Sequence, residues 1–175
     1  MEKVYYTKFM SNLGEMFIAS SDLGVCRLKL ESERVESFFD WMKRNFVEVQ
    51  ENNEMNLEVI RQLSLYGKGQ LKEFDLKLHL IGTPFQKLVW NGLRTIPYGE
   101  VASYKDIALL IGSPKGFRAV GMANNRNPIP IIIPCHRIIG HGGDLVGYGG
   151  GLDMKMKLLQ LEGIHINEGR VATKK

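Results

Sequence analysis

Cysteine is nearly absent from this chain: among 175 residues only Cys26 and Cys135 occur. Neither lies in a Cys-x-x-Cys pair, so neither a disulfide framework nor a zinc finger is expected to organise the fold. The four histidines, His79, His136, His141 and His165, are scattered and do not fall at metal-ligand spacing. No metal and no other cofactor is expected. The chain has no uninterrupted apolar run of the length that crosses a bilayer. Its first residues, Met1-Glu2-Lys3-Val4-Tyr5-Tyr6, lack the basic end, apolar stretch and small-residue cleavage site of a secretory signal. These absences point to an intracellular, cytoplasmic protein that does not engage a membrane. Internal repeats and low-complexity tracts are missing as well.

What is present fits a globular protein. A hydrophobic share of 44% and a charged share of 24% are ordinary for that class, and the length suits one compact domain or two small ones without a disulfide or metal staple. The net charge of +4 is unevenly spread. Residues 1 to 81 hold 11 Lys/Arg against 13 Asp/Glu, whereas residues 82 to 175 hold 12 against 6. The second half is therefore the half able to face a polyanion, although a basic excess also has the plain reading of a solvated surface.

Residues 3 to 9, 15 to 20 and 23 to 30 alternate apolar and polar residues, with Asn12-Leu13-Gly14 and Ser21-Asp22-Leu23-Gly24 as turns, so an antiparallel meander is predicted. Val35, Phe38, Phe39, Met42 and Phe46 recur at helical spacing, as do Leu57, Ile60, Leu63 and Leu65. Asp75 to Leu80 alternates like an edge strand. Ile81-Gly82-Thr83-Pro84 then breaks the chain, and the domain boundary is placed there, giving residues 1–81 and 82–175. Thr83 and Pro84 open a helix with a stripe of Phe85, Leu88, Val89 and Leu93, ended by Ile96-Pro97-Tyr98-Gly99. Ser103-Tyr104-Lys105-Asp106 has capping-box spacing and opens a helix that stops at Gly112, after which Ser113-Pro114 starts another. That pair, over about residues 103 to 124, is a helix-turn-helix candidate. Met154, Met156, Leu158, Leu159 and Leu161 define a last helix, followed by a short basic tail.

The most informative segment is Asn127-Pro128-Ile129-Pro130-Ile131-Ile132-Ile133-Pro134-Cys135-His136-Arg137. Here a thiol leaves an apolar run between a proline and a histidine. Cys26 reads as a small buried hydrophobe. Cys135 differs, because a neighbouring imidazole favours the thiolate, which is the nucleophilic form.

This segment resembles the methylated-DNA–protein-cysteine methyltransferases, also called O6-alkylguanine-DNA alkyltransferases, whose hallmark is Pro-Cys-His-Arg preceded by Asn-Pro-x-Pro and an aliphatic run. The likeness extends over Thr83-Pro84-Phe85-Gln86, Val89-Trp90, Ile96-Pro97-Tyr98-Gly99, Ser103-Tyr104, Arg118-Ala119-Val120-Gly121, Gly147-Tyr148-Gly149-Gly150-Gly151 and Leu161-Glu162-Gly163. It covers roughly residues 80 to 165; the first 80 resemble the family in size and patterning only.

The resemblance implies a fold, an activity and a set of roles. The fold would be an N-terminal α/β domain with a three-stranded antiparallel sheet and helices, ribonuclease H-like, and a mostly helical C-terminal domain holding the helix-turn-helix. The activity would be transfer of a methyl or larger alkyl group from O6-alkylguanine, with O4-alkylthymine as a further substrate, in a single-turnover suicide reaction. Cys135 would be the acceptor, His136 the base through a bound water, and Glu162 the group that orients and stabilises the imidazolium. Asn127 would brace the backbone, and Tyr104 would hydrogen-bond guanine N3. Tyr148 would wall the pocket, with the N–H of Gly149 near the base oxygen and the carbonyls of Cys135 and Ile138 near the exocyclic amine. The lesion lies inside a stacked duplex, so the nucleotide must be rotated out. Arg118 would fill the gap it leaves, while Ala119, Gly121 and Ala123 give a helix suited to close, sequence-tolerant packing in the minor groove. Gly121 inside a helix costs about 0.5–1 kcal/mol relative to Ala, which fits a close backbone approach. Lys115, Arg126 and Arg137 would be further DNA contacts.

The partner implied is double-stranded DNA containing O6-alkylguanine, met by a metal-free, stand-alone monomer; the N-terminal zinc site and fused regulatory domain of some relatives are not expected here. Two other readings remain open at this level. A cysteine hydrolase would use Cys135 and His136 but leaves the helix-turn-helix unexplained. A lesion-recognition or regulatory DNA-binding protein would leave Cys135 unused.

Overall fold

Three consecutive antiparallel strands, β1 (Lys3–Ser11), β2 (Gly14–Ser21) and β3 (Gly24–Lys29), open the computed structural model, which describes residues 3–172. The chain divides between Ile81 and Gly82 into two units. In the first, α1 (Val35–Asn45) crosses from β3 to a fourth strand, β4 (Glu48–Glu51), which runs parallel to β1, so the sheet order is β3-β2-β1-β4. The meander fits the periodicity; β4 does not show in it. Glu48-Val49-Gln50-Glu51 has one apolar side chain and sits at a solvated edge, and ladder hydrogen bonds to β1 define it rather than burial. The alternation over residues 75–80 in turn overstates what forms there: a single parallel bridge between Val25 and Leu78. Val25 N–H donates to Lys77 O (2.9 Å) and His79 N–H to Val25 O (2.8 Å). Gly24 makes this approach possible, since a Cβ there would lie 2.4 Å from Lys77 O.

Helix α1 presents Phe38 and Met42 to the sheet, where they pack with Val4, Phe17, Ala19, Cys26 and Phe46. The rings of Phe38, Phe39, Phe17 and Tyr6 meet edge-on or tilted, with Tyr6 and Phe39 centroids 5.0 Å apart. Helix α2 (Leu57–Gly67) buries Val59, Gln62, Leu63 and Tyr66, whereas Leu57 is exposed. The predicted stripe was therefore set about a residue off. Gln62 explains the shift: its amide donates to Asp75 O (3.0 Å) and accepts from Asp75 N–H (2.9 Å), a polar pairing that apolar periodicity does not register. Cys26 is fully buried and its thiol donates to Ala19 O at 3.3 Å; burial pushes the thiol up to about 12. It is a packing residue.

The second unit is mostly helical: α3 (Pro84–Leu93), α4 (Tyr104–Leu110), α5 (Phe117–Asn125) and α6 (Leu152–Leu161). Both predicted N-termini are closed by capping boxes, Thr83 with Gln86 and Ser103 with Asp106. The buried face of α3 is Val89, Trp90, Gly92 and Leu93, and Leu88 is exposed. Trp90 Nε1–H donates to Ala123 O (2.9 Å), pinning α5 to α3. Helix α5 starts at Phe117 rather than at Ser113-Pro114, because Gly116 N–H closes a turn on Ser113 O (2.8 Å). Two short strands, β5 (Ala102–Ser103) and β6 (Ile138–Ile139), pair in parallel and tie the start of α4 to the residues after Cys135. Where a basic tail was expected, β7 (Ile166–Asn167) and β8 (Arg170–Val171) form a small hairpin; residues 173–175 lie outside the described residues. No helix among the described residues is long and apolar enough to cross a membrane.

Phe38 is at the centre of the first core. Phe38→Ala should destabilise the N-terminal unit by about 3–5 kcal/mol, read as a lower urea midpoint with an unchanged slope. A loss below about 1 kcal/mol would show that this cluster does not hold the sheet.

Candidate active site

The apolar run before Cys135 does not extend as a strand. Asn127 folds it: the side-chain oxygen accepts from Ile129 N–H (2.9 Å) and the amide donates to Ile133 O (2.8 Å), while Ile133 N–H donates to Ile129 O (2.9 Å). Inside that loop Ile132 N–H closes a three-residue turn on Pro130 O (2.9 Å), which places Ile131 at φ +73°. A β-branched residue in the left-handed region costs about 1–3 kcal/mol and persists only where its surroundings hold it. A second tight turn, Cys135 N–H to Ile133 O (2.8 Å), follows at Pro134, and Cys135–Arg137 then form one 3₁₀ turn. Residues 131 to 139 are all buried. Two prolines and one asparagine thus deliver the thiol at the end of a rigid, strained knot.

Burial pushes the Cys135 thiol up to about 11. Hydrogen bonds from Asn127 and Tyr148 and the charge of Lys155 act in the opposite direction. At neutral pH the sulfur therefore rests as a thiol and needs a base. The His136 imidazole faces the carboxylate implied for it by the resemblance: its Nε2 lies 2.7 Å from Glu162 Oε2. Glu162 also accepts from Arg137 Nε–H (2.8 Å) and Nη2–H (3.1 Å), and its Oε1 from Gly99 N–H (3.3 Å). A carboxylate so occupied is an acceptor, so Nε2 carries the ring proton and Nδ1 keeps its lone pair. Nδ1 is buried and has no hydrogen-bond partner among the described residues. Burial lowers the His136 pKa against the opposing pull of Glu162, which keeps the ring neutral. The arrangement is a neutral base, oriented from one side and open at the other.

Arg137 was expected to touch DNA. It is buried instead: besides Glu162 it donates Nη1–H to Ile96 O (2.6 Å), and its guanidinium lies 5.8 Å from the Tyr98 ring centroid. An arginine so engaged holds the carboxylate and does not reach a phosphate. Tyr98 O–H donates to Leu161 O (3.2 Å), so the Ile96-to-Gly99 corner, which ends α3 and carries part of the family resemblance, encloses the Glu162 end of α6. Lys155 was missed altogether. It is fully buried and donates to Ile138 O and to Val146 O (2.8 Å). Its signal was present: Leu158 and Leu159 fix a register in which Lys155 and Glu162, three or four residues away on either side, share the inward face.

Tyr104, at the start of α4, is half-buried and close enough to Cys135 for the sulfur's charge to raise its pKa, after burial as the larger cause. Gly121 lies beneath its ring, where a Cβ would sit 3.6 Å from Cε1, and Gly147 lies by its hydroxyl, where a Cβ would sit 3.6 Å from Oη. The close approach inferred for Gly121 is thus made to Tyr104. Tyr148 meets the Cys135 thiol, and Gly149 stands exposed beside it in the loop. On α5, Arg118 and Ala119 are exposed, as are Lys115 and Arg126 at its ends. Ala123 is not: at 3% exposure it faces α3, and its place on the open face falls to Met122, 60% exposed. Among the described residues no group of three or more His, Cys, Asp or Glu is placed to hold a metal ion.

Comparison with known proteins agrees with this architecture. The family model for the 6-O-methylguanine DNA methyltransferase ribonuclease-like domain matches residues 4–80, and that for the DNA binding domain of the same family matches residues 84–164. The methylated-DNA–protein-cysteine methyltransferase of Methanosarcina barkeri is 48% identical over 91% of this chain and 97% of its own. The constitutive enzyme of that name from Bacillus subtilis is 45% identical over 94% and 98%. Among solved structures, the O6-methylguanine methyltransferase of Mycobacterium tuberculosis superposes with a TM-score of 0.79 at 42% identity, covering 91% of this chain and 92% of that one. The same organism's OGT in complex with DNA gives 0.77 at 40%, covering 90% and 92%.

His136 is held neutral below its ordinary pKa in the folded chain, so the unfolded chain binds the extra proton first as pH falls. Stability from this group is full above about pH 6.5 and declines as pH drops below it, by up to about 1.4 kcal/mol per pH unit. Urea unfolding across that range should show the slope in the native protein and lose it in His136→Gln; an equal slope in both would assign it to other groups.

Proposed function

The chain belongs to the 6-O-methylguanine DNA methyltransferase family, and we propose that it moves the alkyl group from O6 of guanine onto Cys135, once per molecule. Direct-reversal repair of DNA by alkyl transfer to a cysteine is its activity. Of its two cysteines, Cys26 is sealed among phenylalanines, whereas Cys135 lies in the same unit as a neutral histidine base with one nitrogen lone pair unengaged. That unengaged Nδ1 carries the assignment.

The thiol proton passes through a water to His136 Nδ1, and the imidazolium so formed is stabilised by Glu162, itself held by Arg137. The thiolate attacks the alkyl carbon. The S–C bond forms as the C–O6 bond breaks, and the electron pair enters the purine. Tyr104 O–H donates to N3 of the leaving base, whose charge is quenched by a proton returned from His136, so the products are S-alkylcysteine and neutral guanine. A thioether has no low-energy route back to a thiol in such a site, so each molecule acts once.

The reactive base reaches this site only when rotated out of the duplex. Arg118, on the exposed face of α5, takes the space it leaves in the minor groove; Ala119 and Met122 permit the helix to approach, and Lys115 and Arg126 meet phosphates. Tyr148 walls the pocket, the Gly149 N–H meets the base oxygen, and the carbonyls of Cys135 and Ile138 meet the exocyclic amine. Asn127 holds the sulfur through the backbone. Acceptor, base and helix-turn-helix all come from one chain, which fits action as a monomer, in the cytoplasm, on duplexes containing O6-alkylguanine.

Incubation with a duplex carrying one O6-methylguanine should add one methyl to the intact mass, mapped to Cys135. Cys135→Ala should lose the transfer and keep DNA binding. A methyl on Cys26, or transfer by the Cys135→Ala protein, would overturn the acceptor. Arg118→Ala should slow repair of duplex DNA by at least about ten-fold, a loss of about 1.4 kcal/mol, and leave reaction with free O6-benzylguanine within about two-fold. Equal losses on both substrates would remove the extrusion role.

A further inference from the structure

Between the Cys135–Arg137 turn and α6 the chain makes a detour. After β6 it turns through His141–Gly143 and closes on itself, Gly140 N–H donating to Asp144 O (2.8 Å) and Gly143 N–H to Gly140 O (3.2 Å). Asp144, Leu145 and Val146 then form the stem of the Gly147–Gly151 loop, which sets Tyr148 against the Cys135 thiol and Gly147 beside the Tyr104 hydroxyl. The position of that stem therefore sets how much room is left around the sulfur.

The stem is held by the hairpin that follows α6. Asp144 forms an antiparallel bridge with Arg170 of β8, Leu145 N–H donates to Gly169 O (3.2 Å), and Arg170 Nε lies 2.8 Å from Asp144 Oδ1. Behind this contact Val171 is buried with Ile139 and Leu159, and Leu145, Ile164 and Ile166 pack around them. Val171 O lies 2.6 Å from the place that a Cβ on Gly143 would take.

The hairpin has little stability of its own. Two residue pairs, Ile166 with Val171 and Asn167 with Arg170, enclose a two-residue turn whose central positions are both left-handed, Glu168 at φ +51° and Gly169 at φ +73°. Such a turn suits Asn-Gly, whereas Glu168 puts a long side chain where the backbone disfavours one. A two-stranded hairpin this short does not stand alone in water, and the Asp144–Arg170 pair is solvated on both sides and adds little. Its order comes from docking on the stem, and the stem takes its place from the hairpin. Elements ordered by mutual docking open locally, without unfolding the unit that carries them.

We propose that this hairpin is a strap that sets the size of alkyl group the site accepts, with Val171 and Gly143 as its specificity-determining positioning residues. Docked, it holds Tyr148 close to the sulfur and leaves room for a small group. Lifted, it lets the stem and Tyr148 withdraw and a bulky group enter. Bond making and breaking are unaltered; the space around the alkyl carbon is what changes. This rests on Cys135 being the acceptor.

The test compares transfer from two duplexes of one sequence, carrying O6-methylguanine or O6-benzylguanine, by intact and peptide mass against time. The ratio of the two rates cancels losses common to both substrates, such as lower stability or weaker DNA binding. Gly143→Ala drives a Cβ into Val171 O, and Val171→Ala removes the buried anchor; each should raise the benzyl-to-methyl ratio by about five-fold or more. Gly142→Ala is the control, with a comparable left-handed backbone (φ +73° against +90°) and open space where its Cβ would stand; its ratio should stay within about two-fold of the native one. Glu168→Asn relieves the turn and tightens the strap, so it should lower the ratio and slow amide exchange at Leu145 and Tyr148. An unmoved ratio in folded Gly143→Ala and Val171→Ala would reduce the hairpin to packing. Should neither fold, Glu168→Asn decides: an unchanged ratio with unchanged exchange would sink the strap. A methyl mapped to Cys135 with an unmoved ratio removes only the strap, whereas a native protein methylated elsewhere removes the acceptor as well.

Discussion

One buried carboxylate organises the C-terminal unit. Glu162 is enclosed by His136 and Arg137 of the Cys135–Arg137 turn and by the backbone of Gly99, two stretches of the chain remote from α6 in sequence. A carboxylate without those partners could not be buried at all, and removing one of them would leave an uncompensated charge worth about 3–5 kcal/mol. The set is therefore closed and mutually dependent. It fixes the end of α6, the 3₁₀ turn of Cys135–Arg137 and the Ile96-to-Gly99 corner in one step. Its chemical result is the tautomer of His136: with the carboxylate committed to accepting, the free lone pair has to lie on Nδ1.

Burial then sets the resting state of the sulfur. An exposed low-pKa cysteine is reactive toward any electrophile or oxidant; Cys135 is neither exposed nor ionised at rest. In the proposed reaction, reactivity would be confined to the moment when a base withdraws the proton. The same desolvation that raises the thiol also strengthens every stabilising contact to the thiolate once it forms. The strained turn at Ile131 belongs to this design. It keeps an all-apolar run from continuing as a strand and brings Asn127, Ile133 and Cys135 within two hydrogen bonds of each other.

Much of this was legible in the sequence where local chemistry dominates. The meander, the capped helix starts at Thr83 and Ser103 and the break at Ile81-Gly82-Thr83-Pro84 follow from periodicity and from residues with a backbone job. The errors share one cause. The inward faces of α2 and α6 were drawn through apolar residues alone, yet each carries a polar residue that belongs in the core, Gln62 in one and Lys155 with Glu162 in the other. A stripe fitted to hydrophobicity slips around the helix to avoid such residues, and so it hides the polar ones that belong inside. Strand β4 was invisible for the converse reason: a polar edge strand is specified by its neighbour's unpaired backbone, which its own sequence does not encode. Arg137 was misplaced because a charged residue in a hallmark motif reads as a ligand contact, although its partner lies 25 residues further along the chain.

The open face of α5 gives the last constraint. Arg118 and Met122 are one turn apart and exposed, Gly121 is occupied by the Tyr104 ring, and Ala123 is turned toward Trp90. A helix with one long cation, one flexible apolar side chain and small residues between them has too few base-edge donors and acceptors to read sequence. It can instead follow the backbone and detect how readily a nucleotide leaves the stack. Recognition of this kind is suited to a protein that must find a chemical change at any position in a genome. In the proposed reaction the selectivity missing from the helix would come from the pocket, where a buried thiol, a neutral base and the Gly147–Gly151 loop would meet only a base that has been turned out.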